Sequence, residues 1–193
     1  MIKDRLNSII TTYHSLITKL QHLSGVAPLA IRIYLFLPFY LAGSKKFGAM
    51  DNTIAWFEHS LELPFPELMA YLAATTEFVG AFLLIAGFAT RLIAIPLMIT
   101  MIVAAVTVHW DNGWYAIAQS SDPEVGNRLE AARSILQEHG KMDWLTAKGS
   151  FVILNNGIEF AATYFVMLLS LLFTGGGRYT SVDYWLNKRF QQQ

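Results

Sequence analysis

No cysteine occurs among the 193 residues. That excludes a disulfide framework, a thiolate metal site, an iron–sulfur cluster and a cysteine nucleophile. Charge is scarce as well: Asp, Glu, Lys and Arg make up 15% of the chain, where about 25% is usual in a soluble domain. The 14 basic and 14 acidic side chains cancel, so neither a polyanion-binding surface nor a charge-extended disordered chain is expected, and no nucleic-acid partner. Catalytic and nucleotide signatures are missing too: there is no GxxxxGK[ST], no GxGxxG after a strand, no HExxH and no GxSxG. The glycine run from Thr174 to Arg178 lacks the Lys-Ser/Thr helix of a phosphate loop and is a helix terminus. A bis-imidazole haem needs two facing histidines within the spans; only His109 touches one, at its end. No metal ligand set is expected.

What the chain has instead is apolar residues, 54% of the total, gathered into four blocks at about 26–42, 68–87, 92–108 and 157–173. Each approaches the ~20 residues that cross about 30 Å of hydrocarbon at 1.5 Å per residue. A soluble bundle would need a polar face on each helix, and LIAIPLMITMIVAAVTV, the third block, has none. The expected fold class is therefore all-α: an integral membrane four-helix bundle forming one domain over residues 1–193. The first block follows polar turns and lacks a small-residue cleavage site, so it is expected to stay as an anchor.

The segments between the blocks fit this plan. Residues 6–23 place Leu6, Ile9, Ile10, Tyr13, Leu16, Ile17, Leu20 and Leu23 at helical spacing, which predicts an amphipathic helix lying in the interface; a solvated helix docked on protein is the alternative. A short helix is predicted over Asn52–Leu61, stopped by Pro64 and Pro66. Phe88–Arg91 alone joins the second and third spans, as a tight hairpin. The insertion 109–156 opens with Asn112-Gly113 and contains a helix-compatible stretch, Pro123–His139. With the N-terminus inside, the inner segments carry seven basic and two acidic residues and the outer ones six and ten. The positive-inside rule leans towards both termini in the cytoplasm.

Few polar groups lie inside the blocks. Arg32 and Glu77 stand in the first and second, where a lone charge at mid-span costs about 2.5–3.5 kcal/mol. Antiparallel packing would bring them within about 7 Å along the axis, which predicts a paired Arg32–Glu77 facing the bundle interior. Such a pair is either a structural salt bridge that fixes register or an intramembrane site for a proton, an ion or a polar headgroup. A second cluster, His109, Asp111, Asn155, Asn156 and Glu159, is predicted at the outer ends. Asn155 or Asn156 would cap the fourth helix; the sharper alternative is that His109 beside Glu159 handles protons or a quinol headgroup.

Several short runs resemble the DoxX family of membrane proteins. Phe39-Tyr40-Leu41-Ala42-Gly43-Ser44-Lys45-Lys46-Phe47 is similar to the segment after the family's first span. Glu77-Phe78-Val79-Gly80, with Leu83-Leu84-Ile85-Ala86-Gly87-Phe88-Ala89-Thr90-Arg91, is similar to its second-span and hairpin pattern. Gly175-Gly176-Gly177-Arg178-Tyr179 and Ser181-Val182-Asp183 resemble its C-terminal ending. Gly43, Lys45, Glu77, Gly80, Gly87 and Arg91 carry over most cleanly. The resemblance implies a small four-span protein of the bacterial inner membrane, in a family with subunits of a thiosulfate:quinone oxidoreductase and members linked to redox stress. The long insertion departs from the shorter members and looks like a subgroup found with copper-binding-peptide modification, so the thiosulfate role is not transferred.

Three functions remain open at this point. The first is a non-catalytic accessory subunit supporting a redox or quinone-linked partner, or assembling with itself. The second is an oxidoreductase component that binds quinone and uses Arg32, Glu77, His109 and Glu159. The third is a small transporter with Arg32–Glu77 as its site.

Overall fold

The computed structural model describes residues 2–191, and among them only helices, turns and loops occur, with one isolated antiparallel bridge between Ile117 and Leu154. The helices are α1 (Ile2–His22), α2 (Val26–Gly48), α3 (Met50–His59), α4 (Pro66–Ala86), α5 (Thr90–Ala104), α6 (Pro123–His139), α7 (Met142–Thr146), α8 (Glu159–Thr174) and α9 (Val182–Phe190). A π-helical turn, Ala105–His109, and a 3₁₀ turn, Trp110–Asn112, prolong α5. By length and apolar composition three segments can cross a membrane: Val26–Gly48, Pro66–Ala86 and Thr90–Asn112. The fourth, α8, is apolar but only 16 residues long, about 24 Å at 1.5 Å per residue. It starts two residues later than the predicted span, after Asn156 in the left-handed region at φ 58° and with the amides of Gly157 and Ile158 bonded to Tyr115 and Gly113. The first span runs six residues past its predicted end at 42, carrying Lys45 and Lys46 on continuous helix.

The chain forms two compact units. One comprises the chain through Thr100 together with the part from Tyr164 onward; the other is Met101–Thr163.

In the first unit the core is the antiparallel packing of α2 on α4. The buried face of α2 is Pro28, Arg32, Leu35, Phe39 and Gly43, a stripe at spacings of three and four. Facing it, α4 buries Ala70, Ala74, Glu77, Gly80, Ala81 and Leu84. Small residues dominate that second stripe, as expected where hydrophobic exclusion is absent and helices associate through close van der Waals approach. Gly43 marks the tightest point: a Cβ there would lie 2.6 Å from the Phe78 amide nitrogen. Gly80 does the same for α5, since its own Cβ would meet Leu97 at 3.1 Å. Large apolar side chains such as Ile33, Leu37, Leu41, Leu72 and Ile95 point outward and stay exposed, which suits helices surrounded by lipid.

The second unit contains the predicted insertion helix with its predicted bounds, Pro123–His139, opened by the Asp122 side chain accepting from the Glu124 amide at 2.9 Å. The segment 113–118 is zipped to 153–159 by backbone bonds, among them Ala118 N to Ile153 O (3.0 Å) and Glu159 N to Trp114 O (2.9 Å). Gly157 permits this, because a Cβ would lie 2.6 Å from the carbonyls of Gly113 and Tyr115.

The Gly43 contact yields a direct test. Gly43→Ala should lower thermal stability in detergent by about 1–3 kcal/mol, the usual cost of overpacking. Gly48→Ala, in the same helix with open space around it, should stay within about 0.5 kcal/mol of the parent.

Candidate functional site

The first polar site is built around Arg32, which is 1% exposed. Its guanidinium makes five hydrogen bonds to four backbone carbonyls. Nε donates to Leu84 O (2.6 Å), Nη1 to Gly176 O (2.5 Å) and Thr180 O (3.3 Å), and Nη2 to Ile85 O (2.7 Å) and Thr180 O (3.3 Å). A guanidinium has five N–H donors, so all are used. Leu84 and Ile85 belong to the last turn of α4, where carbonyls have acceptor capacity to spare and the helix dipole favours a cation; Leu84 O also accepts from the Gly87 amide at 2.9 Å. Arg32 therefore caps the C-terminus of the neighbouring helix.

The turn that follows α4 is built to fit this cap. Gly87 sits in the left-handed region at φ 65°. A Cβ on it would also strike Ser181 Cβ at 2.6 Å and Arg32 Cζ at 2.7 Å, so glycine is required twice over. Ala89 is left-handed as well, at φ 49°. Its amide and that of Thr90 are held by the two carboxylate oxygens of Asp183 at 2.7 and 2.9 Å. Asp183 N in turn donates to Gly87 O at 3.0 Å. The predicted tight hairpin is thus a clamped one, with the loop 174–183 as its clamp.

The second site lies further along the same interface. Glu77, 6% exposed, is ion-paired with Lys46 Nζ. Next to these two in the chain are Phe78 and Phe47, part of a five-ring cluster with Phe36, Tyr40 and Phe82 whose centroids lie 5.3–5.8 Å apart. The expected Arg32–Glu77 pair is not formed. Gly43 stands against Phe78 and Arg32 against Leu84 and Ile85, so the register sets Glu77 opposite the C-terminal part of α2. Arg32 is 11 residues away from Gly43 in α2, about 16 Å along the axis, beyond the reach of its side chain.

The predicted outer cluster falls in the second unit and serves its zipper. His109 Nδ1 donates to Asn156 O at 2.7 Å. Glu159 Oε2 accepts from the Ala116 amide at 2.9 Å, and not from His109. Asn155 Nδ2 donates to the carbonyls of Asn112 and, at 3.2 Å, Tyr115. Asn156 takes a left-handed φ of 58°, and Asp111 is exposed. The Asn155 side chain is thus spent on the loop and does not cap α8. Among the described residues no group of three or more His, Asp or Glu side chains is placed to hold a metal ion.

The remaining motif residues have separate places. Lys45 is exposed on α2, while Arg91 Nη2 donates to Phe173 O, the end of α8, at 3.1 Å. Sequence reasoning missed Lys46, Asp183 and the helix α9. Lys46 lies three residues after Gly43 and on the same stripe, a signal available once the helix is carried past residue 42. α9 had its own signals: Ser181 accepts from the Tyr184 amide at 3.2 Å as N-cap, Asp183 lies in the first turn, and Lys188 and Arg189 in the last.

Apolar spans with charged groups paired or capped between them define an all-α membrane protein. Residues 27–110 match the DoxX family model. The chain is 32% identical over 83 residues to "Putative oxidoreductase CatD" of Bacillus subtilis (strain 168), covering 43% of this chain and 60% of that one. It is 33% identical over 98 residues to an "Uncharacterized protein" of Haemophilus influenzae, covering 47% of this chain and 62% of that one. The matched stretch thus spans about three-fifths of these curated relatives. No solved structure matches.

Two variants test the two buried charges. Arg32→Met would strand the carbonyls of Ile85, Gly176 and Thr180, and at about 1–3 kcal/mol for each unsatisfied buried group it should abolish the monodisperse folded form on size exclusion, with Arg32→Lys intermediate. Lys46→Met leaves Glu77 alone and should destabilise by about 1–3 kcal/mol. Adding Glu77→Leu should recover most of that loss in thermal unfolding, as for a buried pair removed whole.

Proposed function

We propose that the protein is an accessory subunit of a bacterial inner membrane, with both termini cytoplasmic, that supports a redox or quinone-linked partner protein. The observation that carries this reading is the disposal of buried charge. Arg32 spends all five donors on backbone carbonyls, and Glu77 is neutralised by Lys46. Groups so fully engaged hold helices together and leave little capacity for chemistry. The name of the Bacillus relative supports a redox setting.

A second reading rests on the five rings beside the Lys46–Glu77 pair. An aromatic cluster on the helices that carry an intramembrane carboxylate would suit a quinone ring, with the rings stacking on it and Glu77 holding its polar headgroup. The transporter reading needed Arg32 and Glu77 in one site, and they occupy two.

Purification in native lipid particles decides between the two. The accessory reading expects a flavin-, haem- or metal-bearing protein to co-purify stoichiometrically, and the isolated chain to leave a soluble quinone analogue unreduced by added reductant. Recovery of the chain alone with bound quinone, released by Glu77→Gln, would sink it in favour of the second.

A further inference from the structure

Where the α4–α5 turn meets the chain from Thr174 onward, a cleft of about 480 Å³ opens in the first unit. Arg91 and Arg178 line it, together with the turn Gly175–Gly177, Leu92 and Asn187. Asp183 is its one acidic wall residue, and both its oxygens are already taken by the amides of Ala89 and Thr90. Neither arginine has a carboxylate within ion-pair distance among the described residues. Each is instead held by a neutral partner: Arg91 by the Phe173 carbonyl at 3.1 Å, Arg178 by the hydroxyl and ring of Tyr179 at 3.3 and 5.2 Å. Two guanidinium groups thus line a hollow whose one carboxylate among the described residues is already engaged by backbone amides.

The walls next to this hollow are apolar and bare. Leu92 is 71% exposed and Phe173 73%. From Leu92 the exposed face of α5 continues through Ile95 and Ile99, and from Phe173 that of α8 runs back to Val166. A ligand seated on the arginines would therefore carry an anion at one end and hydrocarbon at the other. Tyr179 and Trp185, both half-exposed, stand where aromatic side chains favour the level of lipid headgroups. Lys188 lies over the Trp185 ring at 5.4 Å.

We propose that this cleft binds the phosphodiester of an anionic phospholipid, with Arg91 and Arg178 holding the phosphate and the acyl chains lying along the exposed faces of α5 and α8. Guanidinium forks match phosphate oxygens in geometry as well as charge. The excess of basic over acidic residues at this end adds the general attraction that basic segments feel towards an anionic leaflet.

The test uses the full chain, reconstituted into vesicles of equal phosphatidylcholine and phosphatidylglycerol, then extracted for native mass spectrometry. The parent should retain phosphatidylglycerol in preference. Arg178→Gln, which loses contacts only to Tyr179, should cut the retained lipid about tenfold, the effect of one charge-assisted bond. Arg178→Lys should restore part of it, and size exclusion should show both variants folded. The pair Lys188→Gln and Arg189→Gln, outside the cleft, should change retention by less than about twofold. Equal loss in that control, or equal retention of both lipids by the parent, would overturn the cleft in favour of diffuse attraction. Displacement by inorganic phosphate at the same concentration would overturn the lipid assignment in favour of a free anion.

Discussion

Five N–H donors and a positive charge on one side chain tie together three distant parts of the first unit. Arg32 joins α2 to the last turn of α4 and to the loop after α8. The physical constraint behind it is severe: in hydrocarbon an unpaired carbonyl or an unpaired guanidinium is each costly, and water is absent as an alternative partner. The end of α4 supplies carbonyls with acceptor capacity to spare, and Arg32 supplies donors. Gly87, Ala89 and Asp183 then follow as the backbone arrangement that lets the two meet.

This also explains why the sequence misled on the pairing of charges. Two opposite charges in adjacent apolar blocks make the obvious couple, and length alone places them at similar depth. Register, however, is set by close backbone approach, and Gly43 lies so near the Phe78 backbone that a Cβ would not fit. A glycine at a helix crossing looks in sequence like any other small residue. Once it fixes the slide of α2 along α4, Lys46 meets Glu77 and Arg32 is left to the helix end. A cation without a carboxylate is easily taken for half of a salt bridge, because backbone carbonyls leave no trace in a list of charged residues.

Other parts were legible for plain reasons. The four apolar blocks, the short hairpin and the insertion helix rest on composition, chain length and an Asp-Pro start, all local properties. What stayed hidden was non-local. The zipper between 113–118 and 153–159 uses backbone groups and turns Glu159 and Asn155 into loop staples. It shortens α8 at its start, a boundary that hydropathy cannot place.

The reach of Arg32 along the chain has a consequence for synthesis. Two of its carbonyl partners lie 52 and 53 residues downstream, and the other two 144 and 148. A chain made from its N-terminus must insert α2 with its guanidinium unsatisfied, then find Leu84 and Ile85 when α4 arrives. Completion waits for Gly176 and Thr180, 144 and 148 residues beyond Arg32. Until then α2 holds an exposed polar group, one that the insertion machinery, lipid headgroups or water must shelter. The loop 174–183 acts as the closing latch of biogenesis, and a chain truncated before it would be stranded with α2 incompletely housed.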